Sequence, residues 1–286
     1  MDRGPTHLST HNFVCDGCGA SMSYDAGTQG LRCPFCGSEK MTPDADTREV
    51  QPQGIVPFAV SRAQAETSLR KWLAGSFWSP NDSAGAAIVT SLQGIYLPYW
   101  IFAADTETYW TADSSATPPG AYGDWVPVSG EHRGRYDNNL VCCSSALTPD
   151  EMAKIGNYDL SQAVPPGKIA LDGVTNERFT VPRKYARPLA RRGFEARELD
   201  ACRRYVAGNV RNLRVNVRIA ELSSYPMLLP VWIVAYRYRD RLYRFLANGQ
   251  TGAATGIAPI SVTKVVGAVT IALIILGLIL AFALFH

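Results

Sequence analysis

Four cysteines carry the clearest chemistry in this chain. They fall as Cys15-Asp-Gly-Cys18 and Cys33-Pro-Phe-Cys36, 14 residues apart, and each pair is followed by a glycine, Gly19 and Gly37. Two such knuckles at hairpin tips supply four soft thiolates in a tetrahedron, which closes a structural Zn2+ site and leaves no position for water. A redox Cys-x-x-Cys is the rival reading, but two matched pairs this close favour metal. Cys15, Cys18, Cys33 and Cys36 are therefore expected to hold one Zn2+, with the glycines turning backbone amides toward the sulfurs. Gly27-Thr-Gln-Gly30 supplies the turn between the connecting strands. With so little apolar mass, residues 13–38 are expected to fold only when metallated. Cys142, Cys143 and Cys202 remain, and an odd number of thiols beside a zinc site suits a reducing cytosol, where they read as ordinary buried or half-buried side chains.

Other reactive constellations are missing from the sequence. The four histidines are His7 and His11 near the N-terminus, His132 in a Gly-rich stretch, and His286 at the last position. There is no G-x-S-x-G, no H-E-x-x-H and no paired acidic motif, and Pro166-Gly167-Lys168-Ile169 lacks the upstream glycine and the hydroxyl of a P-loop. No catalytic residues are assigned, a helicase motor is excluded, and the chain is read as a non-enzyme.

The elements that must position the cysteines emerge from patterning. Residues 265–285 hold 21 positions without a charge, a helix of roughly 31 Å against a hydrocarbon core of about 30 Å. A single C-terminal transmembrane helix is expected. The N-terminus lacks an apolar run, so the layout is that of a tail-anchored protein with its bulk in the cytoplasm, at the inner or plasma membrane; Lys264 abuts the span on the body side. Residues 1–12 read as a flexible N-terminus, 13–38 as a zinc ribbon and 39–54, with Pro43, Pro52 and Gly54, as a linker on which the ribbon swings.

Between linker and anchor, residues 55–260 read as one α+β domain that repeats itself. SRAQAETSLRKWLAG (61–75) and FEARELDACRRYVAG (194–208) match at an offset of 133, with Ala63/Ala196, Arg70/Arg203, Ala74/Ala207 and Gly75/Gly208 identical. At an offset of 132, Leu97-Pro98-Tyr99-Trp100 matches Leu229-Pro230-Val231-Trp232. Each copy reads as a helix ending at a Gly cap, then a β-rich run opened by a proline. Two α-β-β halves with antiparallel sheet are expected. Residues 113–134, rich in Ser, Pro and Gly, read as a long hairpin loop, with the returning strand at 136–143. The Asn248-Gly249-Gln250-Thr251-Gly252 phrase reads as a structural corner, Asn-Gly supplying a positive φ.

Charge is polarised along the chain. Residues 178–218 carry 12 Lys or Arg against three acids and 237–244 four Arg against one Asp, within a chain whose net charge is +3. Arg183, Lys184, Arg187, Arg191, Arg192, Arg203 and Arg204 are candidates for contact with anionic lipid headgroups. The ribbon has a net charge of −1 over 13–40, whereas a phosphate-binding ribbon needs a basic face.

The double knuckle CDGCGASMSYDAGTQGLRCPFCGS, the phrase GIYLPYWIFAAD and the ending LLPVWIVAYRYRDRLYRFLANGQTGAATGIAPISVTK resemble a widespread bacterial family of TFIIB-type zinc ribbon-containing membrane proteins. The resemblance covers nearly the whole chain, and NGQTG followed by Gly256 and Pro259 is its most specific part. Members often carry a primosomal or helicase-like label on the ribbon alone. The resemblance implies membrane association beside SPFH-domain proteins and phage-shock protein A, in modules linked to envelope stress; it brings the four zinc ligands and no catalytic residues. A membrane-anchored cytoplasmic adaptor with protein partners is expected, the alternative being a nucleic-acid-binding zinc ribbon tethered to the membrane.

Overall fold

The computed structural model describes residues 10–25, 32–44, 50–116, 120, 123–169 and 175–285. The turn expected at residues 27–30, and His7 and His286, lie outside them. The chain is α+β, built on a mostly antiparallel ten-stranded sheet. Its axis is one pair of long strands, β5 (Ile88–Ser114) and β8 (Val210–Tyr238), which run antiparallel from Ile88 opposite Arg237 to Ser114 opposite Val210. At about 3.3 Å per residue, the 27 residues of β5 trace roughly 90 Å of backbone.

Alternation along these strands sorts the core into two layers. On one face α1 (Arg62–Gly75) sets Leu69 and Leu73 on Leu92, Val234, Tyr236 and Phe245, while α4 (Arg183–Arg203) sets Ala186, Ala190 and Phe194 on Trp100, Phe102 and Ala104. On the other, Ile95, Leu97, Tyr99 and Ile101 join Leu229, Val231 and Ile233 against Met22, Cys33, Phe35 and Ile155, the last from α3 (Pro149–Ile155). Covered on both sides, Ile95 to Phe102 is buried without interruption, which is why that stretch reads as a continuous apolar run rather than an alternating one. Ser61 and Gln64 close a reciprocal capping box at the start of α1.

Prolines in central strands need explaining, because they remove a ladder donor. Pro98 accepts a bond from Cys143 N–H, so its missing donor points to the side where β7 (Thr175–Glu177) stops at Tyr96 and β6 (Val126–Cys142) begins at Tyr99. Pro230 likewise accepts from Gly249, just past the last pair with β9 (Arg241–Asn248). Each proline sits where a flanking strand ends.

Four expectations change. First, 39–54 is no free linker in its described parts. The ribbon strands β1 (Thr10–Cys15), β2 (Ser21–Asp25) and β3 (Met41–Pro43) join the body's sheet, β3 pairing β1 and β2 pairing β7; β4 (Gly54–Ile55) lies parallel to β8, and Arg178 pairs with Asp44 at 2.7 Å. Cys15, Cys33 and Phe35 are core residues, and a buried apolar underside cannot swing free. Thr10 to Asn12, assigned to a flexible terminus, are strand.

Second, the 113–134 loop is much shorter. β6 starts at Val126, opposite Ser114, and continues to Cys142 as a hairpin arm with β5. Gly134 stands within the strand because it serves close approach: a Cβ there would lie 2.5 Å from Glu198 Oε1. Third, α1 ends at Ser76 in extended backbone, and Gly208, at φ 70°, lies beyond the end of α4 at Arg203, so neither glycine is the helix cap.

Fourth, the 248–252 corner is structural, but its positive φ falls at Gly252, at 77°. Asn248 is fully buried and holds the corner by side chain: Nδ2 donates to the Ile155 and Asn157 carbonyls, and Oδ1 accepts from Gln250 and Thr251 N–H. Asn248→Ala leaves those groups without partners, so denaturant unfolding should show a loss of about 3 kcal/mol, whereas Gln250→Ala, on the exposed side of the same corner, should cost less than about 1 kcal/mol.

Candidate metal centre

The ribbon assembles its cysteines through two matching turns. β1 runs into the first knuckle, where Gly19 N–H bonds Cys15 O at 2.8 Å; in the second, Gly37 N–H bonds Cys33 O at 2.8 Å. Both glycines hold φ near 75°, a backbone state costly for other residues. Gly17 N–H points at Cys15 Sγ, 3.3 Å away. Across the knuckles Cys15 Sγ lies 3.5 Å from Cys36 Sγ and Cys18 Sγ 3.6 Å from Cys33 Sγ, and all four sulfurs fall within 4.8 Å of one another.

A tetrahedron with Zn–S bonds of about 2.3 Å has edges of about 3.8 Å, so the four sulfurs already stand near the corners of a zinc site. The hydrogen bond with Cys33 pulls the Cys18 thiol down to about 5, and the same bond pushes Cys33 up. The donor set is closed, soft and anionic, which fits a structural metal. All four residues named from spacing come together, and the three other thiols stay apart from them. Cys142 and Cys143 face opposite layers, and burial pushes Cys142 up, Cys143 up to about 12 and Cys202 up to about 11, which leaves them inert.

Around the knuckles the body closes in. Ser145 Oγ donates to the Gly19 carbonyl, Ser145 N–H donates to Glu177 Oε1 at 3.0 Å, and Gly37 faces Leu242 of β9, whose methyl would lie 3.6 Å from a Cβ placed there. A groove between Phe35 and Cys36 on one side and Leu242, Tyr243 and Arg244 on the other opens beside Ile257.

No spacing or motif signals a second polar cluster, on the arm formed by β5, β6 and β8. Glu198 of α4 has no exposed surface, and its carboxylate accepts from Thr106 Oγ1 at 2.6 Å, Tyr136 OH at 2.7 Å and His132 Nδ1 at 2.7 Å. Burial raises its pKa, but these bonds outweigh burial and hold it below the ordinary carboxylate range. His132 is a strand residue, opposite Thr108, and not part of a loop. Cys202, one turn from Glu198, completes a group with N, O and S atoms within 4.8 Å. With three donors on the carboxylate, the cluster pins α4 to the arm. Only the pairing of β6 with β5 brings His132 to a glutamate 66 residues away.

The seven cations proposed for lipid headgroups are all exposed on α4 or at its C-cap, Arg204. Trp100, whose indole donates to Val181 O just before α4, is 11 strand residues from Val89, roughly 36 Å. Val89 pairs with Tyr236, whose hydroxyl reaches Ile257, close to the C-terminal helix. The basic row thus begins well away from that helix along the strand.

No family model matches the chain, and no solved structure matches it significantly. It is similar to the uncharacterized protein YdjG of Bacillus subtilis (strain 168), 27% identical over 315 aligned positions that cover 89% of this chain and 92% of that protein.

Two outcomes follow from this geometry. Metal analysis of the purified protein should find one Zn2+ per chain, and Cys33→Ser should abolish it and, because Cys33 sits in the shared core, lower the melting temperature of the body rather than of the ribbon alone. Glu198→Gln replaces an acceptor with a group that must donate among donors, at a cost of about 2–3 kcal/mol near neutral pH. Because the Glu198 pKa is lowered on folding, its stabilisation is present above the unfolded value of about 4.3 and is lost as pH falls below it. Urea melts should therefore show the two proteins converging in acid; a constant gap down to pH 3 would reject the assignment.

Proposed function

We propose that the chain is a single-pass, membrane-anchored zinc-ribbon adaptor whose body lies in the cytoplasm. The observation that carries this reading is α5 (Val262–Phe285), 24 residues and roughly 36 Å long. None of Val262–Leu280 is buried against the body. An apolar helix of that length left bare needs a nonpolar phase to cover it, and Lys264 at its body end favours the cytoplasmic side for the bulk of the chain.

Adaptor function is supported by the arm. Beyond Phe102, one face of β5, β6 and β8 is covered by α4 while the other faces solvent. The solvent face carries acids on β5 flanked by arginines: Arg133 to Glu107 at 3.0 Å, Arg211 to Asp113 at 3.2 Å and Arg135 to Asp105 at 3.9 Å. Arginines already paired with carboxylates offer little to a phosphate backbone, and mixed charge suits a protein surface. Among the described residues, no strand pairs the outer edge of β6 or the 210–224 stretch of β8, which leaves both edges to strand addition except where Arg197 and Arg191 of α4 bond the Asn138 and Val217 carbonyls. The resemblance to ribbon proteins found beside SPFH-domain and phage-shock protein A partners supports the reading of an envelope-stress or SPFH-type module at the inner membrane. The exposed row from Arg183 to Arg204 meets anionic headgroups if the sheet lies along the bilayer; membrane binding that strengthens with anionic lipid and weakens with salt tests that, and binding indifferent to both rejects it.

We also read the body as a duplication. Helix, long strand and hairpin strand occur twice in order, α1-β5-β6 and α4-β8-β9. The sequence offset of 132 pairs Leu97 with Leu229, and these two residues are also direct partners in the ladder, as a two-fold axis between them requires. Halves whose helix and two strands fail to superpose would reject it.

Protease added outside intact cells should leave residues 1–261 intact, and photo-cross-linkers at Arg135 or Arg214 on the arm should capture an SPFH-domain or phage-shock protein A-type partner in cells. The purified protein should bind DNA and RNA no tighter than about 10⁻⁴ to 10⁻⁶ M at physiological salt. Nanomolar, sequence-selective binding would instead establish the tethered nucleic-acid reading.

A further inference from the structure

The loop after α1 is far from α5 in sequence, Ser79 lying 185 residues before Lys264, yet it is fastened to the first turn of α5. Ser261 N–H donates to Trp78 O at 2.8 Å, and Lys264 Nζ donates to Phe77 O at 3.0 Å and Ser79 O at 2.7 Å. Ser261 in turn caps α5, its hydroxyl accepting from Lys264 N–H. The same root is held to the sheet by Tyr236 OH on the Ile257 carbonyl and by Ile257 N–H on the Arg244 carbonyl. The helix therefore leaves the body from a fixed socket rather than through a slack tether.

Around that socket large apolar side chains lie exposed together. Phe77 is 73% exposed, Trp78 46%, Ile257 59%, Ile260 68% and Val262 73%. Phe77 and Trp78 stack edge to face with ring centroids 5.0 Å apart, and Lys264 lies 5.9 Å from the Phe77 ring. Trp, Phe and Lys gathered at one end of an apolar helix are the chemistry of the membrane–water boundary, where an aromatic ring buries its body and an ammonium stays wet. The hydrogen bonds fix the backbone of Phe77 and Trp78 at the level of the first turn of α5, and continuity with the helix settles what covers them.

We propose that Phe77, Trp78, Ile257 and Ile260 form a collar that inserts into the headgroup and upper acyl region of the bilayer around α5, setting the body at a fixed height and tilt on the membrane. This rests on α5 spanning that bilayer. The collar is a second contact with lipid, made by a loop remote in sequence from the span.

The test uses the full chain in proteoliposomes of phosphatidylcholine and phosphatidylglycerol brominated on the acyl chains. Of the six tryptophans, Trp78 is isolated by subtracting the spectrum of Trp78→Phe. The expected result is that this component loses at least half its intensity to brominated lipid, and that Phe77→Ser with Ile260→Ser reduces the quenching at least twofold while the protein still resists alkaline extraction. Trp78 fluorescence indifferent to bromine in protein that resists extraction would overturn the collar and leave the span standing. Release of the wild-type chain by alkali would overturn both.

Discussion

The pairing of β5 with β8 is the constraint on which everything else in this molecule depends. Two strands of 27 and 29 residues, held antiparallel over nearly their whole lengths, fix one register from which every other contact is measured. A slip of one residue would turn Leu97, Tyr99 and Ile101 toward the α1–α4 layer and Trp100 and Phe102 toward the ribbon. Both faces of the centre are buried, so a slipped register has no solvent side on which to place its mistakes. Near Leu97 and Leu229 the two phrases with matching prolines cross, each proline placed where a flanking strand has ended and no donor is wanted.

The metal centre belongs to the same core. Cys15, Cys33 and Phe35 pack with Ile95, Leu97 and Met227, so the ribbon is one side of the sheet's lower layer rather than an appended module. A four-cysteine ribbon of this size is short of apolar mass, and this one obtains the remainder from the body it covers. With a metal on the four sulfurs the body would gain a lid whose shape is set by four metal bonds, far less compliant than side-chain packing, and loss of the ion would be coupled to loss of the layer. The knuckle of Cys36 is held near Leu242 and the exit of the C-terminal helix.

On the arm, where only one face is covered, electrostatics takes over from hydrophobic burial. Glu198 is an anion in the layer between helix and strands, and it is tolerated because hydroxyls and an imidazole converge on it and Gly134 leaves the space it occupies. The open face of the arm carries paired charges, which keep it soluble while leaving its strand edges available. Bare apolar surface is concentrated at the opposite end, on α5 and at its root. The molecule is therefore polarised into a bare apolar end and a charged arm.

Local chemistry was legible in the residues alone: four thiolates at knuckle spacing, 21 uncharged residues long enough to cross a bilayer, and the structural corner at residues 248–252. Each follows from interactions within a few turns of chain, which spacing records. What spacing does not record is which surface covers which. The linker at 39–54 looked free because its composition is polar, yet its strands find partners in β1 and β8. Residues 113–134 looked like a loop because glycines weaken strands, yet Gly130 and Gly134 are the residues that make room for Trp110 and Glu198. His132 and Glu198 meet, and Trp78 meets Ser261, only through strand pairing across long stretches of chain. Such contacts leave no periodicity in sequence, because they are set by a register that exists only once the long strands have closed on each other.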